Sequence, residues 1–303
     1  MEKQTIKRPN IIVVLVDDMG YSDAQPFGGN ARMPHVQGLA DNGIIFRHAH
    51  VSSLCAPTRA MLLTGVDNHQ NGLGVMPPMH AANQYRQPGY QGYLNDRVIT
   101  IAQMLKDSGY HTYMAGKWHL GFPGDRHPVN EGFERSFALI GGGASHWADA
   151  LPLSSGEGPV TYYVEDESRV ELPKDFYSST FYANKLIQYL SQPTDDKPFF
   201  AYLAFTAPHD PLHVPDKWIN NYSGVYNAGY DAIKKQRLQK MKDLGLVKPE
   251  TSFNDDDDRF GNWDALSDED KRLEARKMEI YTAMLECLDY ELGRVLDHLR
   301  ETG

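Results

Sequence analysis

A chain of 303 residues is long enough for one large α/β domain or two small ones. With 41% hydrophobic and 23% charged residues it has the composition of a soluble globular protein. A net charge of −10 argues against nucleic acid or an anionic membrane surface as the main partner, and a cysteine count of 2 excludes a disulfide framework.

The apolar run at residues 11–16 (I-I-V-V-L-V) is too short for a signal-peptide core or a bilayer span. The chain therefore reads as cytoplasmic, or as periplasmic or secreted if a signal has been removed. The same run is β-branched and does not alternate. That pattern predicts a strand buried on both faces of a parallel sheet. Residues 34–42 predict a short helix stopped by Gly43, and residues 44–46 a short strand. Residues 57–63 predict a helix with Pro57 in its first turn. Asn95 is placed to cap a helix over residues 96–108, closed by Gly109, and a strand is expected over 111–115. A helix over 178–190 and a strand over 199–205 follow. This alternation predicts an α/β fold, with a mostly parallel sheet sandwiched by helices.

Residues 220–270 break the pattern and read as a surface insertion, with some helix over 231–244. The acidic run Asp255, Asp256, Asp257, Asp258 lacks the spacing of a calcium loop and reads as solvated. Ser267 and Asp270 resemble a capping box opening a long helix. Its apolar stripe includes Tyr281, Leu285, Leu288, Leu292 and Leu299, and Cys287 reads as core. A crossover helix delivers a further strand. The expectation is thus a single catalytic domain over 1–303 whose C-terminal part is missing.

Chemistry-bearing residues gather where predicted strands end, the usual place for ligand sites in open α/β sheets. Asp17 and Asp18 follow the first strand. Two adjacent carboxylates there are either a plain polar turn or oxygen ligands suited to Ca²⁺ or Mg²⁺. Lys117, His119 and His209 fall beyond later strand ends. Together such groups suit an anionic tetrahedral substrate; singly, each histidine reads as a loop residue. Cys55 precedes a helix N-terminus and Arg59 sits on its first turns, an arrangement that favours an anion. The cysteine reads either as a thiolate nucleophile or as a buried structural residue. His146 and Trp147, after Gly141, Gly142 and Gly143, read as pocket wall or as plain loop.

C-A-P-T-R at residues 55–59 resembles the C-x-P-x-R core of the type I sulfatases. P-N-I-I-V-V-L-V-D-D-M-G at 9–20, P-T-R-A-M-L-L-T-G at 57–65, G-Y-H-T-Y-M-A-G-K-W-H-L-G at 109–121 and T-A-P-H-D-P-L-H at 206–213 resemble other blocks of that family, in family order. The segments at 71–76 and 89–95 look most like soluble bacterial-type arylsulfatases.

The resemblance implies an alkaline phosphatase/sulfatase-like fold and hydrolysis of a small anionic sulfate ester of the aryl sulfate type. It implies that Cys55 is converted to formylglycine by a formylglycine-generating enzyme. It further implies that Asp17, Asp18 and the converted Cys55 hold a Ca²⁺, with Mg²⁺ as the other candidate. Arg59 would hold the formylglycine, Lys117 would contact sulfate and nucleophile, His119 would act as base, and His209 would bind sulfate and protonate the leaving oxygen. The family completes its metal site with a later Asp-Asn pair and adds another lysine; neither is found before residue 303. The resulting expectation is weak calcium binding and poor turnover by this chain alone. The competing expectations are a phosphonate or phosphate ester hydrolase of the same superfamily, and a catalytically inactive fragment.

Overall fold

The computed structural model describes residues 8–76, 79–85, 87–121, 126–153, 161–192, 195–253 and 261–302. The acidic run at 255–258 lies outside them. The chain divides into two compact units, Met1–Asp17 with His50–Thr206, and Asp18–Ala49 with Ala207–Gly303.

The first unit is organised by a 6-stranded sheet in the order β1-β6-β2-β3-β4-β5. The strands are β1 (Ile11–Asp17), β2 (His111–Lys117), β3 (Arg135–Leu139), β4 (Tyr163–Glu165), β5 (Ser168–Arg169) and β6 (Phe199–Pro208). β2 pairs in parallel with both β3 and β6, setting Tyr113 opposite Arg135 and opposite Ala201. β4 and β5 add an antiparallel margin. The α/β reading therefore holds, with the short strands β3 to β5 added to those expected.

β2 and β6 are buried along nearly their whole length, as expected of strands covered on both faces. β1 is not: residues 11–16 are only partly buried, and β1 stands at the end of the strand order. The β6 strand runs three residues beyond the expected end, through Thr206, Ala207 and Pro208. The helices of this unit are α2 (Cys55–Thr64), α3 (Asn68–Asn71), α4 (Ile101–Asp107) and α5 (Ser178–Leu190). α4 is shorter than its apolar pattern suggests, because Thr100 takes the cap. Its side chain accepts from Gln103 N at 3.1 Å, while Asn95 makes a separate turn by accepting from Arg97 N. The core centres on aromatic packing. Phe133 stacks on Phe200 at 6.0 Å and meets Trp118 edge-on at 6.1 Å.

The second unit holds α1 (Pro34–Asp41), α6 (Tyr230–Asp243) and the 35-residue α7 (Asp268–Thr302). α6 matches the helix expected over 231–244. Ser267 Oγ accepts from Asp270 N at 3.1 Å and donates to its carboxylate at 2.7 Å, which starts α7 as anticipated. Met33 gives α1 no side-chain cap. Asp289 of α7 supplies it instead, accepting from His35 N at 3.0 Å and Val36 N at 2.8 Å. Burial raises the Asp289 carboxyl above its ordinary range, against the pull of those two N–H donors. Cys287 is buried on the same helix, as its place in the apolar stripe requires. The strand expected at 44–46 does not form. Ile44 and Phe46 are 80% and 72% exposed, and no strand pairs with them among the described residues.

Candidate active site

β1 ends at Asp17, and the backbone reverses hand at the next residue, since Asp18 has φ +59°. The turn thus begins one residue before Met19-Gly20. His119, two residues past the end of β2, has φ +61°. Left-handed backbone costs a residue with a Cβ roughly 1–2 kcal/mol. Such positions gather at functional sites, where the surrounding fold holds them in place.

In the first unit, Asp17 is 5% exposed and has a cation on each carboxylate oxygen. Lys117 Nζ bonds Oδ2, and Arg59 Nη2 lies 3.2 Å from Oδ1. Lys117 and Arg59 are themselves fully buried. Arg59 Nη1 also donates to the Lys117 carbonyl at 2.8 Å and to Tyr202 Oη at 3.3 Å. Burial opposes the Arg59 charge, but Tyr202 and Asp17 outweigh it and the guanidinium titrates above its ordinary value. Burial likewise raises the Tyr202 hydroxyl. One carboxylate faces two cations, so the trio carries one surplus positive charge. Arg59 Nη2 is taken up by the Asp17 ion pair, while Nε, also buried, makes no hydrogen bond among the described residues.

Cys55 is the first residue of α2 rather than the residue before it, and Leu54 provides no capping side chain. Thr58 N donates to Leu54 O at 3.2 Å and Pro57 has no N–H, so the amides that this end of α2 presents toward an anion are those of Cys55 and Ala56. Cys55 Sγ lies 3.3 Å from His119 Nδ1 and 3.7 Å from Met76 Sδ. Gly142 flanks the imidazole so tightly that a Cβ there would sit 2.7 Å from His119 Cε1. The fold thus brings Asp17, Cys55, Arg59, Lys117 and His119 together in one unit. Lys117 points at Asp17 rather than at the cysteine. Tyr202 and Met76 join the cluster without having been singled out in the sequence. Tyr202 lies mid-strand in an unbroken apolar run, and Met76 in an irregular loop.

His146 lies in a loop, the plainer of its two readings. It is fully buried, and Nδ1 contacts Ser178 Oγ at 2.7 Å.

In the second unit, Asp18, His209 and Asp210 offer ligand atoms that lie within 4.8 Å of one another. His209 Nε2 is 3.3 Å from Asp18 Oδ2, and Nδ1 is 3.0 Å from Asp210 Oδ1. Tyr281 donates to the Asp18 carbonyl at 3.1 Å and to Asp23 at 2.7 Å; Asp23 in turn accepts from Gly20 N at 2.7 Å. These bonds hold the turn that presents Asp18. Two carboxylates and an imidazole fit a divalent cation by donor chemistry, and the oxygens favour a hard ion. Asp210 was not singled out from the sequence, because a lone aspartate beyond a strand end carries little signal.

Residues 9–303 match the family model described as Sulfatase. The chain is 43% identical over 298 residues to an arylsulfatase of Klebsiella aerogenes, covering 98% of this chain and 63% of that protein. It is 43% identical over 312 residues to an uncharacterized sulfatase of Schizosaccharomyces pombe, covering 98% of this chain and 55% of that one. Among solved structures it superposes on BT4656, determined in complex with its substrate D-glucosamine-2-N,6-O-disulfate. The TM-score is 0.65 at 23% identity, over 98% of this chain and 63% of that chain. The chain spans less than two thirds of the length of each of these proteins. The family match over nearly the whole chain, with identity at this level, establishes that the protein belongs to the sulfatase family.

Proposed function

We propose that the protein hydrolyses sulfate monoesters, of the aryl sulfate type, with a formylglycine made from Cys55 and a divalent cation, Ca²⁺ or Mg²⁺. The observation that carries this reading is Cys55 on an uncapped helix N-terminus, 3.3 Å from His119, in a unit whose buried Asp17–Arg59–Lys117 trio is one charge positive. Sulfate is the kind of anion that such donors and surplus charge attract.

Asp17 and Asp18 are the residues that would hold the cation, with His209 and Asp210 beside Asp18. When bound, the cation would polarise oxygens of the sulfate and nucleophile. Formylglycine, as its hydrate, would supply an oxygen nucleophile and a route to release sulfate that an ordinary cysteine lacks. Arg59 keeps this corner charged and orients the first turn of α2. Lys117 fixes the Asp17 carboxylate and adds positive charge toward the substrate. His119, placed on residue 55, is suited to take a proton during release of sulfate, and His209 to give one to the departing alcohol. The match to a Klebsiella arylsulfatase supports the aryl class. Conversion of Cys55 requires a formylglycine-generating enzyme as partner.

The test has two parts. The peptide containing Cys55 is weighed after expression beside a formylglycine-generating enzyme. Turnover of an aryl sulfate, a phosphate diester and a phosphonate ester is then compared in the same preparation. A lighter, aldehyde-reactive peptide with preference for the sulfate supports the proposal. An unmodified thiol, with the maturation enzyme shown active on a control, overturns the formylglycine mechanism. Preference for the phosphonate moves the chain to a different hydrolase class.

A further inference from the structure

The unconverted cysteine has a second chemistry available. Cys55 Sγ lies 3.7 Å from Met76 Sδ and 3.3 Å from His119 Nδ1, so a thiol, a thioether and an imidazole nitrogen converge on one side chain. Bonds of about 2.0 Å to nitrogen and 2.3 Å to sulfur place the donors of a trigonal ion roughly 3.7–4.0 Å apart. The two separations from Cys55 are each a few tenths of an ångström shorter than that spacing, which a bound ion would open slightly. All three residues are partly buried, and Met76 packs on the core. His119 is held on one side by Gly142 and by its left-handed backbone.

We propose that the chain carrying the free thiol binds a soft monovalent metal ion, Cu(I), through Cys55, Met76 and His119. Thiolate and thioether sulfur select soft ions. Zinc has the wrong appetite: a thioether is not among its usual ligands, and it asks for four. The aspartates of the second unit suit a hard cation, so the two ions would not compete for the same donors. Binding replaces the thiol proton: the Cu–S bond forms as S–H is lost, one proton leaves for solvent, and copper keeps its oxidation state. Conversion of Cys55 removes the thiolate and with it the site. Copper and maturation would therefore exclude each other at residue 55.

The test uses the reduced full chain, made without a formylglycine-generating enzyme and titrated anaerobically with Cu(I) against bicinchoninate. The expected result is one ion per chain, with X-ray absorption showing two sulfur neighbours and one nitrogen. Cys55→Ser should abolish uptake. Met76→Leu and His119→Gln should each weaken it by more than the about 10–100-fold that losing a supporting contact costs a metal site. Cys287→Ser should change nothing. Circular dichroism confirms that each variant is folded. Failure to draw copper from bicinchoninate, binding indifferent to both Met76→Leu and His119→Gln, or loss of binding in Cys287→Ser would each overturn the proposal. None of these readouts depends on sulfatase turnover, so the copper site and the hydrolytic reading stand or fall separately.

Discussion

Asp17 Oδ1 lies 3.2 Å from Arg59 Nη2, with both side chains out of solvent. Lys117 holds the other oxygen of the same carboxylate. Taking a charge out of water costs several kcal/mol, and removing one partner of a buried ion pair leaves that cost uncompensated. Asp17→Asn, which leaves the two buried cations Arg59 and Lys117 without their carboxylate, is therefore expected to destabilise the chain by about 3–5 kcal/mol. Urea unfolding checks it. The double variant Asp17→Asn with Arg59→Met should lose less than the sum of the two single losses, since it leaves one buried cation, Lys117, where Asp17→Asn alone leaves two.

Gly142→Ala tests how His119 is positioned. The added methyl would meet the imidazole at 2.7 Å and force it to move. On the proposed reaction, a displacement of about 1 Å at a reacting group costs on the order of 10²-fold. The loss should fall on kcat, with KM little changed, and should not be matched by a comparable fall in Tm. A change confined to Tm would mark Gly142 as a packing residue only.

Asp289→Ala probes the cap that α7 supplies to α1. The N–H groups of His35 and Val36 lose their acceptor, and Met33 offers none. The expected cost is about 1–2 kcal/mol by urea unfolding. Hydrogen exchange should quicken over α1 before it quickens over α6.

His111 gives a pH signature. It contacts Glu134 at 2.9 Å and Asp195 at 2.7 Å. Burial works against its charge, but the two carboxylates outweigh that and hold its pKa above the ordinary 6.5. A raised histidine stabilises the fold fully below 6.5, and the contribution fades as pH rises through the folded value. Hydrogen bonds from His111 and Lys197 lower Asp195 from 3.8 to about 2, so its contribution is present above 3.8 and lost as pH falls through about 2. Between those limits the contact is whole. Scanning Tm against pH, His111→Gln should remove the decline on the alkaline side of 6.5 and also shrink the acid-side loss that Asp195 contributes, because His111 is the first cause of its lowered pKa.

The fold was most legible where one physical signal dominated. The uninterrupted apolar run of β6 and the closed pattern of α5 from Ser178 to Leu190 needed no tertiary context. β4 and β5 stayed hidden because strands of three and two residues are too short to carry a periodicity. α4 lost its first turn to Thr100, a capping choice decided by a hydrogen bond rather than by the apolar pattern. At the site, motif spacing located Cys55, Arg59 and the strand-end residues. It could not show that Lys117 is spent on Asp17, or that Tyr202, buried mid-strand, reaches Arg59. Those contacts belong to the packing of β1, β2, β6 and α2, which local sequence does not encode.

The left-handed backbone at Asp18 and His119 has a consequence for how these positions tolerate change. Glycine, asparagine, aspartate and histidine enter that conformation most readily, whereas β-branched residues resist it. A randomised library at either position, selected only for soluble expression, should already be enriched in those four residues. Survival of an aspartate at 18 or a histidine at 119 under such selection would report backbone preference, and a chemical role would have to be read from the asparagine variants, which satisfy the chain while removing the charge or the proton.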